Sequence, residues 1–266
     1  MLQVGLGPIG VMSKGAVVLV CGKSGIGKST LVTQVVYAAH RNSFPYLPNH
    51  VPPEFRAMQT AACYDLHERS VLADWYEAQG YEDLAATTRE LHCLFAGADK
   101  TTSTVLDRVR QHHEGTRNNW SIYPRIEVVP GHDVDYVISQ ARAMKPKILG
   151  VDTLQLMSTS KLRSKPGTAS QLRASAEILI NFARSTGTTT FLCASRLGLA
   201  RYSVFAEMQL EHLVDSVFVL TQSQLDSALR VLQCSKNRYG HCQDTILRAR
   251  IGSVLESNAV NLHGVS

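Results

Sequence analysis

The sequence predicts an α/β protein whose mostly parallel, twisted sheet is flanked by helices on both faces. Three observations carry that expectation. Ala16-Val17-Val18-Leu19-Val20-Cys21 is a continuous apolar run ending in glycine, the pattern of a strand buried on both sides. A glycine-rich segment, Gly22–Thr30, follows at once and leads into a helical pattern. Farther along, short apolar runs alternate with amphipathic helical stretches, and strands separated by helices return to one sheet as parallel neighbours.

Taken in order, Lys28–His40 reads as a helix with Leu31, Val32, Val35 and Val36 on one face. Asn42–Pro53 holds four prolines and reads as an irregular excursion. Gln59–Tyr64 is expected to be a second strand and Ser70–Gln79 a helix. Tyr81–Pro124 is polar, rich in His and Arg, with helical patches at Val105, Leu106 and Val109, and reads as an insertion decorating the core. Order returns with strands at Arg125–Val129, Lys147–Val151, Thr188–Ala194, Val214–Leu220, Leu229–Ser235 and Thr245–Ile251, and with helices at Asp133–Met144 and Ala169–Ser185. The expectation is a single domain over 1–266, with insertions at about 41–56 and 81–124 and a short tail at 253–266.

Composition limits the function classes. The chain has 266 residues, 44% hydrophobic and 18% charged, which excludes extended disorder and is enough to bury a core without staples. No apolar run reaches the roughly 18 residues of a membrane span. A formal charge of +5 permits an anionic partner without requiring one. The six cysteines (Cys21, Cys63, Cys93, Cys193, Cys234, Cys242) are scattered without a C-x-x-C pair. That pattern points to free thiols in a reducing compartment, the cytoplasm or an organellar matrix after loss of a leader. His112-His113 with His92 and Cys93 match no zinc spacing and read as surface residues.

Gly22-Lys23-Ser24-Gly25-Ile26-Gly27-Lys28-Ser29 fits G-x-x-x-x-G-K-[ST], and Thr30 extends the loop into the helix. The glycines let backbone N–H groups turn inward as an anion nest, and the helix beginning near Lys28 adds its positive end. Lys28 is expected to reach the β- and γ-phosphates of ATP, with Ser29 a ligand of Mg²⁺. The apolar run Lys147-Ile148-Leu149-Gly150-Val151 ends in Asp152, where such an enzyme carries its Mg²⁺-organising carboxylate. Many strands end in Asp as a turn residue, so this signal gains its weight from the loop upstream. Glu68 is the candidate for orienting and deprotonating an attacking water, with Asp65 and His67 as competitors.

Several segments together resemble the ATPase core of the bacterial RadA (Sms) recombination family. Ser235-Lys236-Asn237-Arg238-Tyr239-Gly240 resembles its K-N-R-F-G motif, and Gly25–Thr30 matches its phosphate loop. Val151-Asp152-Thr153-Leu154-Gln155 is similar to V-I-D-S-I-Q, Ser170-Gln171-Leu172-Arg173 to S-Q-V-R, and Leu210–Val217 to L-E-H-M-V-D-T-V. The resemblance runs from about Gly5 to Arg250, interrupted at 41–56 and 81–124. It implies a RecA-like P-loop ATPase, assembled as a hexameric ring, that acts on single-stranded or branched DNA, with RNA as the other nucleic acid to consider. By that likeness Glu68 falls on the glutamate of a G-E-E-S segment, here His67-Glu68-Arg69-Ser70. Lys236 and Arg238 fall on the basic pair that acts on a neighbouring subunit's nucleotide; the plain alternative is a basic hairpin tip.

The chain also departs from the family. Neither the four-cysteine zinc module nor the Lon-protease-like domain is expected, Lys23 stands where the family usually has an acid, and Ser195 where it often has a His. These departures bear on DNA handling more than on ATP binding. Two loops are basic: Ser158–Gly167 with Lys161, Arg163 and Lys165, and Ser195–Gln209 with Arg196, Arg201 and Tyr202. They could track a phosphate backbone or be ordinary solvated loops. The leading expectation is an ATPase hydrolysing ATP at a subunit interface on DNA in recombination or repair. The alternative is a nucleotide-binding scaffold or assembly factor for protein or ribonucleoprotein, while a small-molecule kinase is disfavoured for want of an Arg-rich lid.

Overall fold

The computed structural model describes residues 2–3, 11–33, 35, 66–83, 85–86, 93–97, 126–162, 168–195, 210–224, 226–249 and 255–257. In chain order the strands are β1 (Leu2–Gln3), β2 (Val11–Met12), β3 (Val17–Gly22), β4 (Cys93–Gly97), β5 (Ile126–Pro130), β6 (Ile148–Asp152), β7 (Thr189–Ser195), β8 (Ser216–Gln222), β9 (Leu229–Asn237), β10 (Thr245–Ala249) and β11 (Leu255–Ser257). Helix α1 begins at Lys28 and is described over 28–33 and 35. The other α-helices are α2 (Leu66–Ala78), α3 (Val134–Met144), α4 (Ala169–Thr186) and the single turn α5 (Leu210–Leu213).

Nine of the described strands form one sheet in the order β11-β10-β9-β8-β3-β7-β6-β4-β5, and β1 and β2 form a separate antiparallel pair. From β8 to β5 all neighbours are parallel, whereas β9, β10 and β11 join as antiparallel neighbours at the other edge. Alternation along β3 shows why its run is apolar throughout. Val18 and Val20 join Leu31, Val32 and Val35 of α1 in one core. Val17, Leu19 and Cys21 face the other way, into a second core built by Val134, Val137 and Ala141 of α3 and Leu172, Ala176 and Leu179 of α4. A strand covered on both faces has no polar side to show.

The helices begin where their caps dictate. Asp133 accepts from the Asp135 N–H at 2.9 Å to start α3, and Thr168 accepts from the Gln171 N–H at 3.4 Å to start α4.

Three sequence expectations need correction. Cys93–Gly97 lies inside the stretch read as an insertion, yet it is β4, paired in parallel with both β5 and β6. Five apolar residues between polar runs carry too little periodicity to separate a buried strand from a local patch. The stretch read as a tail contributes β11, which pairs antiparallel with β10. Helix α2 begins at Leu66, four residues ahead of the expected Ser70, so Glu68 stands in its first turn rather than in a loop. The strand expected at Gln59–Tyr64 and the excursion at 41–56 lie outside the described residues.

Candidate nucleotide-binding site

The phosphate loop connects the end of β3 to the start of α1, at the carboxyl edge of the parallel strands. Glycine is required at two of its positions. A Cβ on Gly22 would lie 2.4 Å from the Leu220 carbonyl oxygen of β8, so only a bare backbone passes there. Gly27 has φ 107, a backbone conformation that strains any side chain. Lys28 is 6% exposed, and its ammonium donates to the carbonyls of Gly22 at 3.1 Å and Lys23 at 2.7 Å. Those bonds hold its charge across the concave side of the loop. Ser29 sits in the first turn of α1, and its carbonyl accepts from the Thr33 hydroxyl at 2.8 Å. Lys23, Ser24 and Gly25 are exposed, while Ile26 is buried and anchors the loop to the core.

Asp152 ends β6 with 2% exposure. One strand, β7, separates β6 from β3, so the carboxylate stands two strand spacings, about 10 Å, to the side of the loop's strand. Around it, Thr153 donates from its hydroxyl to the Cys193 carbonyl at 3.4 Å, and the Gln155 amide donates to the Ser195 carbonyl at 2.6 Å. These bonds tie the residues after β6 to the end of β7. A nest of N–H groups, a buried ammonium and a helix N-terminus suit a polyphosphate. A hydroxyl on Ser29 and a carboxylate on Asp152 are the hard oxygen donors that Mg²⁺ takes. The donor set therefore fits a nucleoside triphosphate with Mg²⁺.

Lys236 and Arg238 lie elsewhere. β9 runs antiparallel to β8, with Asn237 opposite Ser216 at the amino edge and Arg230 opposite Gln222 at the carboxyl edge. The basic pair is thus about 20 Å from the chain's own phosphate loop along the strand. A bulge leaves Ser235 as the extra residue between the Phe218–Cys234 and Val217–Lys236 pairs, which re-aims the side chains beyond it. The Lys236 ammonium donates to the carbonyls of Glu211 at 2.5 Å and Val214 at 2.7 Å. Burial lowers its pKa below the usual lysine range, and the Arg238 charge adds to the shift. Arg238 pairs with Asp215 at 3.1 Å and donates to the His212 carbonyl at 3.3 Å, with its side chain half exposed.

Sequence reasoning missed two residues here. Asp215 is buried, and besides holding Arg238 it accepts from the Val17 N–H at 2.9 Å, fixing the start of β3. Its only sequence signal was its place in the matched Leu210–Val217 stretch. Arg230 donates from Nε to the Ile26 carbonyl of the phosphate loop at 3.3 Å, and no local pattern marked it.

Of the basic loop residues, Lys161 is described. It pairs with Asp135 at 3.7 Å, and Asp135 follows the edge strand β5. The Asp135 carboxyl is held below its usual range: burial raises it, but hydrogen bonds from Thr159 and Ser160 and the Lys161 charge outweigh that. Arg163, Lys165, Arg196 and Arg201 lie outside the described residues, as does the side chain of Glu68. Cys21, Cys193, Cys234 and Cys242 are thiols outside any disulfide. Among the described residues no group of His, Cys, Asp and Glu could hold a metal by itself, and no helix is long and apolar enough to cross a membrane.

A sheet of this order, with the phosphate loop after one central strand and an acid two strands over, defines a RecA-like P-loop nucleoside-triphosphatase fold. Solved structures agree on that fold. A DnaB-like replicative helicase superposes with a TM-score of 0.60 at 12% identity, over 91% of this chain and 59% of that one. The KaiC-like protein PH0186 from Pyrococcus horikoshii gives 0.56 at 15% identity, over 97% of this chain and 98% of that one. In sequence the chain is similar to the DNA repair protein RadA. The Pseudomonas aeruginosa protein is 32% identical over 117 residues, 44% of this chain and 25% of that protein. The Bacillus subtilis protein is 26% identical over 233 residues, 87% of this chain and 38% of that protein. The chain thus spans well under half the length of these relatives. No family model matches it.

Proposed function

We propose that this protein is a RadA-like ATPase that acts on DNA in recombination or repair and hydrolyses ATP where two subunits of a ring meet. The observation that carries the reading is the position of the basic pair. Lys236 and Arg238 stand at the amino edge of the sheet, some 20 Å along β9 from the chain's own loop, and that placement supports a role on a neighbouring subunit's nucleotide. A cation offered to a neighbour's γ-phosphate makes hydrolysis depend on assembly. Bound Mg²⁺ would neutralise charge on the phosphates. Within the chain, Lys28 and the loop N–H groups bind and orient the phosphates, Ser29 and Asp152 hold the ion, and Glu68 orients the water. The likeness to DNA repair proteins supports DNA as the partner, and a reducing compartment such as the cytoplasm suits the scattered thiols.

The test measures oligomer mass with and without nucleotide, and ATPase rate with and without single-stranded DNA, branched DNA or RNA. Arg238→Ala and Lys28→Ala proteins, each inactive alone, should regain activity when mixed, because a mixed interface pairs an intact loop with an intact Arg238. No recovery at any ratio would overturn the shared site. ATP binding without turnover, with or without nucleic acid, would favour the scaffold reading.

A further inference from the structure

Arg230 is a cation at the phosphate-loop edge that the roles above leave unused. It stands opposite Gln222 of β8 and Leu247 of β10, on the other side of β3 from Asp152. Its Nε donates to the Ile26 carbonyl at 3.3 Å, and its Nη1 donates to the carbonyls of Ser227 at 2.5 Å and Leu229 at 3.0 Å. The turn that receives Nη1 is itself closed, by the Ala228 N–H on the Asp226 carboxylate at 2.7 Å and the Ser223 N–H on the Leu229 carbonyl at 3.1 Å. The guanidinium is therefore a fixed bracket between the β8–β9 turn and the loop.

The bracketed peptide matters for phosphate binding. A phosphate loop works by turning N–H groups inward, and in a trans peptide the C=O and the next N–H point in opposite directions. Pinning the Ile26 carbonyl outward on Arg230 aims the Gly27 N–H the other way, into the nest. Ile26 stands between Gly25 at φ 74 and Gly27 at φ 107, two glycines whose freedom would otherwise let that plane rotate.

We propose that Arg230 is a positioning residue for the nucleotide, which holds the Ile26–Gly27 peptide so that the Gly27 N–H faces the bound phosphates. This rests on the nucleotide-binding reading of the loop. The role needs a planar fork that spans two sets of carbonyls, so a lysine, with the charge at one point, supplies only half of it.

The experiment titrates the full chain with a fluorescent ADP and with ATP, comparing the parent, Arg230→Gln, Arg230→Lys and Lys28→Ala. Melting without nucleotide is measured in parallel. ADP and ATP affinity should fall about tenfold in Arg230→Gln and less in Arg230→Lys, which also keeps the test readable if the glutamine variant folds poorly. KM should rise by a similar factor while kcat at saturation stays within about threefold, because the chemistry keeps its groups. Parent affinity in Arg230→Gln, with a lower melting temperature, would reduce Arg230 to a structural brace and overturn the proposal. Binding that is lost in Lys28→Ala but kept in Arg230→Gln would defeat this inference alone. A parent that binds neither nucleotide would defeat the nucleotide reading and this inference with it.

Discussion

Replacing Asp215 by Ala should cost about 2–3 kcal/mol of folding stability, whereas Asp215→Asn should cost less than about 1 kcal/mol. The structure separates the two contributions. The Asp215 side chain accepts from the buried Val17 N–H at 2.9 Å, and alanine leaves that donor without an acceptor. An unsatisfied buried group of this kind costs about 1–3 kcal/mol. The second contribution is the pair with Arg238, whose side chain is 49% exposed, and an ion pair so solvated contributes about 0.2–1 kcal/mol. Asparagine keeps an oxygen for Val17 and gives up only the charge toward Arg238. For a chain of this size the alanine variant should melt roughly 5–10 °C lower and the asparagine variant within about 3 °C of the parent. Thermal and urea unfolding followed by circular dichroism measure both. Equal losses in the two variants would mean that charge, not the acceptor for β3, sets the role of Asp215. An alanine variant within 0.5 kcal/mol or so of the parent would refute the hydrogen-bond argument altogether.

Three further outcomes follow from the site. Glu68→Gln should preserve ATP binding and slow turnover by roughly two to four orders of magnitude, as read by single-turnover hydrolysis; an unchanged rate would move the base to Asp65 or His67. Cys242 is exposed and should react with a maleimide in the folded protein. Cys234 should resist it, because burial and the hydrogen bond with Cys242 push its thiol up to about 12, and mass spectrometry after labelling reads the difference. Neutralising Lys161, Arg163 and Lys165 together should weaken nucleic-acid binding and flatten its salt dependence by close to one unit per lost phosphate contact, with basal ATPase activity retained. An unchanged affinity and slope would place the nucleic-acid surface elsewhere.

How much of this was legible in the sequence depends on how far apart the cooperating residues lie. The phosphate loop is a run of neighbours, and its glycines, lysine and serine announce themselves because the chemistry needs them side by side. Strands β3 and β8 were legible for a similar reason: each carries an apolar run with a polar boundary. β4 was not, since Cys93-Leu94-Phe95-Ala96-Gly97 is too short to show a period and becomes a strand only because β5 and β6 offer edges on either side. Strand order was equally hidden. Alternating strands and helices imply a parallel sheet, but nothing local says that β7 inserts between β3 and β6.

That order decides what each residue can do. With β7 inserted, Asp152 ends a strand two places from the loop's strand, at the same carboxyl edge of the sheet. With β9 antiparallel to β8, one strand carries Arg230 at the loop's edge and Lys236 at the opposite edge. Arg230 meets Ile26 across 204 residues, and Asp215 meets Val17 across 198. Such pairs leave no spacing to read, because they exist only once the sheet has assembled. A motif can therefore name candidate phosphate-binding residues, while the residues that hold the motif in shape become visible only in the fold. For the same reason substitutions at Arg230 and Asp215 should separate nucleotide affinity from stability: Arg230 touches the loop, and Asp215 touches the strand that delivers it.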